Sequence, residues 1–243
     1  LLAEKSFLWI FLGDAATSLA FGAVALLALP GGRPAGDTAP ATGGFLAAAR
    51  ADRHLQRVLL GMFLGVFCLF QIATTLPLHV ESLGFSTATY GLLLSLNGLL
   101  VATLEIPATS IIVRLPARMA IGLGFLLIGA AMGGIGLATA VPLLAVMVGV
   151  ATAGEILAMP AAGAFVADLA PAHLQGRYHG ALGAAAAAGV AAAPALGGTL
   201  YGIHPAAAFL SFLLAGLTAC AVVLVPARAR AAVIAPDPTE GIA

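Results

Sequence analysis

Seven stretches of this chain, roughly 6–29, 58–80, 88–113, 119–139, 142–166, 174–203 and 206–226, are apolar over the length needed to cross a bilayer. A spanning helix needs about 20 predominantly apolar residues, and each run is bounded by Gly, Pro or charge. Inside hydrocarbon the backbone must satisfy its own hydrogen bonds, so only helices and closed barrels span. These runs lack the two-residue alternation of barrel strands. The fold class that follows is all-α: a polytopic membrane helix bundle of about seven transmembrane helices. Composition agrees, because the chain is 61% hydrophobic and only 8% charged, whereas a soluble domain is about one quarter charged. Ten basic and ten acidic residues balance, so net charge points to no nucleic acid and to no acidic partner. Membrane lipid is the partner that the composition names.

The runs are joined by short connections with one exception. Residues 30–44, "PGGRPAGDTAPATGG", are too rich in Gly and Pro to build a packed element. The expected organisation is a transmembrane helix over 1–30, a linker over 31–57, a six-helix bundle over 58–226 and an unstructured tail over 227–243. Within the linker, "FLAAARADRHLQRV" reads as an amphipathic lead-in at the membrane surface. All nine arginines fall in the first, third and fifth connections and in the tail, and the other three connections hold no Lys or Arg. The positive-inside rule makes that side cytoplasmic. The chain is therefore expected in the cell (inner) membrane with its N-terminus outside and its C-terminus inside. A start on "LLAEKSFLWIF" reads as a fragment, and this first run is too long for a signal-peptide core and lacks a basic region before it.

A few polar residues interrupt the apolar runs. Glu155 stands in "TAGEILAMPAAGAF", and no Lys or Arg occurs between Arg118 and Arg177. An acid in hydrocarbon must be neutral, paired or turned toward a water-filled cavity. At helical spacing its face holds Ala151, Thr152, Ala158, Met159 and Ala162, which suits close packing or a cavity wall better than lipid. Removal from water favours the neutral carboxyl, so such an acid takes up and releases a proton near neutral pH. Two readings stay open: proton coupling or contact with a cationic substrate, and a hydrogen-bonded acid that fixes helix packing. Glu105 lies in "NGLLVATLEIPATSII" with Asn97 on the same face, and has the same two readings as a cavity acid or a polar pin. Gln71, Thr75 and His79 form a stripe at four-residue spacing beside Pro77, a pattern that lines an outward-opening path. His79, close to the outer surface, is expected to be solvated, as are His173 and His179. Asp14, followed by Thr17 and Ser18, reads as structural. The five His and two Cys show no metal-ligand spacing, and Cys68 and Cys220 read as small packing residues. No metal or cofactor is expected.

Residues 167–202, "ADLAPAHLQGRYHGALGAAAAAGVAAAPALGGTLYG", resemble the major facilitator superfamily, and especially its drug:proton antiporter branch. There a cytoplasmic loop of the form D-x-x-P-x-x-x-x-G-R-x-x-G leads into a helix ending in G-x-x-x-x-P-x-x-G-G. The matching positions are Asp168, Pro171, Gly176, Arg177 and Gly180, then Gly189, Pro194, Gly197 and Gly198. "RADRHLQRVLL", "QIATTLPLHVESLGFSTATYGLLLSLNGLL" and "GEILAMP" are similar to the approach to the seventh helix, the seventh-to-eighth passage and the tenth helix of that branch. The loop "VRLPARMAIG" departs from the family, keeping only Arg114, Arg118 and a Gly of a Gly- and Asp-containing basic pattern.

The resemblance implies the sixth helix plus the C-terminal six-helix half of the fold, with its 3+3 inverted repeats, and five earlier helices absent. It implies alternating-access transport, with proton-coupled efflux of a lipophilic or cationic compound. Protons, a small-molecule substrate and the missing N-terminal helices would be the partners. Glu155, Glu105, Asn97, Gln71 and Thr75 are the candidates for the substrate and proton pathway. Asp168, Arg177, Gly189, Pro194, Gly197, Gly198 and Asp14 are the candidates for gating and structural roles. Two alternatives remain: a non-transporting scaffold or decayed half-transporter, and an intramembrane enzyme. The second lacks any G-x-S-x-G or H-E-x-x-H, so no enzyme activity is expected.

Overall fold

The computed structural model describes residues 7–28, 49–50 and 52–225. The expected tail, and the linker apart from 49–50 and 52–57, lie outside the described residues. Every regular element among the described residues is helical. The chain divides into two units at residues 40 and 41.

The first unit contributes α1, Phe7–Ala28. Leu12, Leu19, Phe21, Leu26 and Leu27 are all exposed on it, and a helix apolar all round is suited to lipid rather than water. Asp14 falls on this helix, and its side chain is outside the described part.

The second unit holds six helical passages long and apolar enough to cross a membrane. The first is broken into α2 (Arg53–Leu69), α3 (Gln71–Thr74) and α4 (Leu76–Ser82). Next come α5 (Thr87–Ile112), α6 (Ala117–Ile135) and α7 (Val141–Leu169). The fifth passage runs through a short 3-10 turn, Ala172–Leu174, then α8 (Gln175–Ala192), a π turn (Ala193–Gly197) and α9 (Gly198–Ile203). The last is α10, Pro205–Leu224. Helix α2 starts at Arg53, earlier than the expected 58, because Asp52 caps it: its carboxylate accepts from the amides of His54 (2.9 Å) and Leu55 (3.0 Å), two donors that a helix start otherwise leaves without partners. Gly84 supplies the positive φ of +81° in the turn between α4 and α5.

Helix α6 is the centre of this unit, packed against α7, α10 and α2. Ile121, Phe125, Ile128, Met132 and Ile135 on it are fully buried. Lipid gives no hydrophobic drive for helices to associate, so contact rests on close packing, which small residues permit. A Cβ on Gly129 would lie 2.7 Å from the Cα of Gly216 on α10, and one on Gly124 would lie 2.6 Å from the carbonyl oxygen of Gly154 on α7. Gly189 does the same for α8 against α2, where a Cβ would meet the Phe63 carbonyl oxygen at 2.7 Å. By contrast Gly198 and Gly202 border open space, so their small-xxx-small spacing serves no contact within this unit.

One end of the unit gathers the basic connections. Arg57 donates to the Val225 carbonyl (2.7 Å), and Arg118 donates to those of Val223 (2.7 and 3.1 Å) and Val225 (2.5 Å). These are carbonyls that the end of α10 leaves unpaired, and guanidinium groups suit the negative end of a helix. At the same end the Tyr178 hydroxyl donates to the Asp52 carboxylate at 3.4 Å.

Candidate functional site

Near the middle of their passages, α5 and α7 meet through a polar cluster. The side-chain amide of Asn97 on α5 donates to Thr152 Oγ1 at 2.9 Å and to Glu155 Oε2 at 3.1 Å, both on α7. Thr152 is fully buried and donates its own proton to the Val148 carbonyl at 2.8 Å. Its Oγ1 therefore has a lone pair for Asn97, and both amide protons of Asn97 are used. Glu155 and Asn97 are half-buried. The carboxylate is thus anchored on one oxygen by an amide from another helix, while the side chain keeps access to the surface of the unit. Glu155 lies beside Thr152 because a helix puts positions three apart on one face.

Glu105 sits about two turns along α5 from Asn97, toward the arginine-bearing end. It is exposed and within electrostatic reach of Glu155. Its backbone carbonyl accepts from Thr109 at 2.8 Å. Asn97, Glu155 and Glu105 therefore form one neighbourhood along the α5–α7 seam.

Gln71 and Thr75 lie elsewhere. Both are buried at the breaks of the first passage. Gln71 Oε1 accepts from Thr74 (2.9 Å) and Thr75 (2.5 Å), while its amide nitrogen donates to the Phe67 carbonyl (3.0 Å) and the Ala193 carbonyl (3.5 Å). Pro77, at the start of α4, has no N–H to continue the ladder, and the side chains stand in where the regular bonds lapse. Across from this break, Pro194 lies inside the π turn, and a Cβ on Gly197 would collide with the Gln71 amide. Gly189 and Gly197 thus belong to the packing of the fifth passage on the first, whereas Pro194 is exposed and Gly198 faces open space. Asp168 and Arg177 are both exposed at the arginine-bearing end, and no ion pair joins them among the described residues.

His79 departs from the expectation of a solvated ring. It is 8% exposed. Its Nδ1 lies 3.3 Å from the Tyr201 hydroxyl and its Nε2 lies 3.3 Å from the Ala138 carbonyl oxygen. Three later parts of the chain enclose it: α9, the α6–α7 connection and α10, whose Phe209 ring is 4.9 Å away. The apolar residues around position 79 gave no sign of Tyr201, because a pairing across more than a hundred residues leaves no periodic trace. His173 and His179 are exposed, as expected. Among the described residues no group of three or more His, Cys, Asp or Glu is placed to hold a metal.

Residues 80–240 match the sequence profile of the Major Facilitator Superfamily. Over 154 residues, 59% of the chain, it is 32% identical to an uncharacterized MFS-type transporter, YttB, of Bacillus subtilis (strain 168). Over 128 residues, 51% of the chain, it is 28% identical to another from that organism, YqjV. The matched stretches cover 38% and 31% of those two proteins, so the chain spans about a third of the length of the curated relatives it matches. The profile covers more than half of the chain, and this chain belongs to the major facilitator superfamily.

Proposed function

We propose that this chain is the sixth helix and C-terminal half of a secondary transporter that exports a lipophilic or cationic compound in exchange for protons. Glu155 is the coupling acid, and Glu105 adds a second negative charge to the same path. The reading rests on one observation: Asn97 bridges Thr152 and Glu155 between two passages at mid-depth. An uncompensated acid at the centre of a spanning helix costs roughly 2.5–3.5 kcal/mol on the insertion scale. An empty, ionised Glu155 is therefore disfavoured, and either a proton or a cationic substrate relieves it. Two occupants that exclude one another at one carboxylate give exchange rather than leak.

The side chains on the exposed face of α5 support an opposing half of the transporter as its partner. They include the carboxylate of Glu105, which lipid does not solvate, while Thr103, Thr109 and Ser110 bond carbonyls of their own helix. By the positive-inside rule the arginine-bearing end is cytoplasmic. This puts the chain in the cell membrane with the start of α1 outside and the end of α10 inside.

The test is proton-gradient-driven flux of ethidium, a lipophilic cation, in vesicles carrying the whole protein. Glu155→Gln is expected to lower gradient-driven accumulation at least about tenfold, equivalent to roughly 1.4 kcal/mol, and to make the remaining ethidium binding independent of pH. Flux with unchanged coupling would remove Glu155 from the mechanism, and no flux of any probe in the native protein would favour a scaffold.

A further inference from the structure

Two guanidinium groups converge on one carbonyl oxygen at the arginine-bearing end. Arg57, one turn into α2, donates from Nη1 to the Val225 carbonyl at 2.7 Å. Arg118, in the first turn of α6, donates to the same carbonyl from Nη2 at 2.5 Å and holds the Val223 carbonyl with Nε and Nη2. The two nitrogens on Val225 are therefore no further apart than these two bonds laid end to end. All the hydrogen bonds of both groups go to carbonyls, and among the described residues no carboxylate pairs with either. Arginine stays charged in proteins, so the place carries two full positive charges. The end of α10 offsets them with only about half an elementary charge. Both side chains are half-buried, so salt screens them less than it would a fully exposed pair.

Donors are left over as well. A guanidinium has five N–H groups. Arg118 spends those on Nε and Nη2 and keeps the two on Nη1, while Arg57 spends a single one. Beside the pair the surface is apolar. Leu60, one turn further along the face of α2 that bears Arg57, is exposed, as are Leu224 and Val225. Leu224 continues the exposed stripe of Leu214 and Leu217 along one face of α10. We infer that Arg57 and Arg118 bind the phosphate of an anionic phospholipid whose acyl chains lie along this face of α10. Forked N–H donors suit phosphate oxygens. The arginine-bearing end is the cytoplasmic one by the positive-inside rule, and the surface of that leaflet is negatively charged. Free inorganic phosphate shares the chemistry of the head but has nothing to lay on the leucines. The site shares no residue with the Glu155 cluster and stands whether or not the exchange proposed above occurs.

The test is native mass spectrometry of the whole protein in detergent, titrated with phosphatidylglycerol, with zwitterionic phosphatidylcholine or with inorganic phosphate. One phosphatidylglycerol should bind at least about tenfold tighter than phosphatidylcholine, and inorganic phosphate should not displace it. Arg57→Gln and Arg118→Gln should each weaken that binding at least about tenfold. Arg114→Gln, which removes an exposed arginine at the same end, should change it less than about twofold. Circular dichroism of each lipid-free variant checks that the helices are intact. If Arg118→Gln does not fold, Arg57→Gln, which removes a single bond to α10, decides alone. Equal losses across the arginine variants would mean a diffuse basic surface. Displacement by phosphate would mean a free-anion site, and equal binding of the two lipids would mean no site. Each of these three results overturns the inference.

Discussion

Asn97 shows what single residues disclose and what they conceal. Its polarity, like that of Glu155, was plain against the apolar runs, and helical spacing placed Thr152 on the face of Glu155. That α5 and α7 would turn those faces to one another was not legible, because periodicity orients a residue on its own helix and says nothing of the helix opposite. Gln71 makes the complementary point. Its stripe with Thr75 suggested a lined path, yet both are wholly enclosed, bonded to the carbonyls and hydroxyls that a broken helix leaves over. The Asn97 bridge gives an expected outcome at this scale. Thr152→Val keeps the shape but strips Asn97 of an acceptor. Polar contacts between membrane helices average about 0.6 kcal/mol and reach about 1.7. The variant should lose stability within that range when unfolded in mixed micelles, and an unchanged unfolding free energy would show that the bridge holds nothing.

At the scale of the element, the passages themselves were legible to within a few residues, since apolar length and charged or Gly–Pro boundaries are properties of local sequence. Their interruptions were not. Pro107 and Pro160 lie inside continuous helices, whereas Pro77 and Pro194 accompany a break and a π turn. Proline removes a donor in all four places; what differs is the surroundings, since at the two irregular sites the buried Gln71 side chain bonds the Phe67 and Ala193 carbonyls across the two passages. Glycine likewise divides by what it faces. Gly129→Ala would drive a Cβ to 2.7 Å from the Gly216 Cα, and overpacking of this kind costs about 1–3 kcal/mol. Gly183→Ala meets nothing within 4 Å and should be neutral or stabilising by up to about 1 kcal/mol. Thermal unfolding of the two variants in detergent separates them, and equal losses would contradict the packing described for α6 and α10.

For the molecule as a whole, the exposed faces differ in kind. The outer side of α10 shows Leu210, Leu214 and Leu217, while that of α5 mixes Leu99 and Ile106 with Glu105. In the whole protein, a cysteine in place of Leu210 should react with a maleimide dissolved in the lipid, and one in place of Ile106 should be shielded by the opposing half proposed above. Equal labelling of both would argue against that partner. Where α6 meets α7 and α10, main chain rests on main chain at Gly124–Gly154 and Gly129–Gly216, with no side chain between them to give way. Three helices so joined have little room to slide, so a change of shape in this unit is expected at the broken first and fifth passages and at α5, which carries the acid's anchor with it.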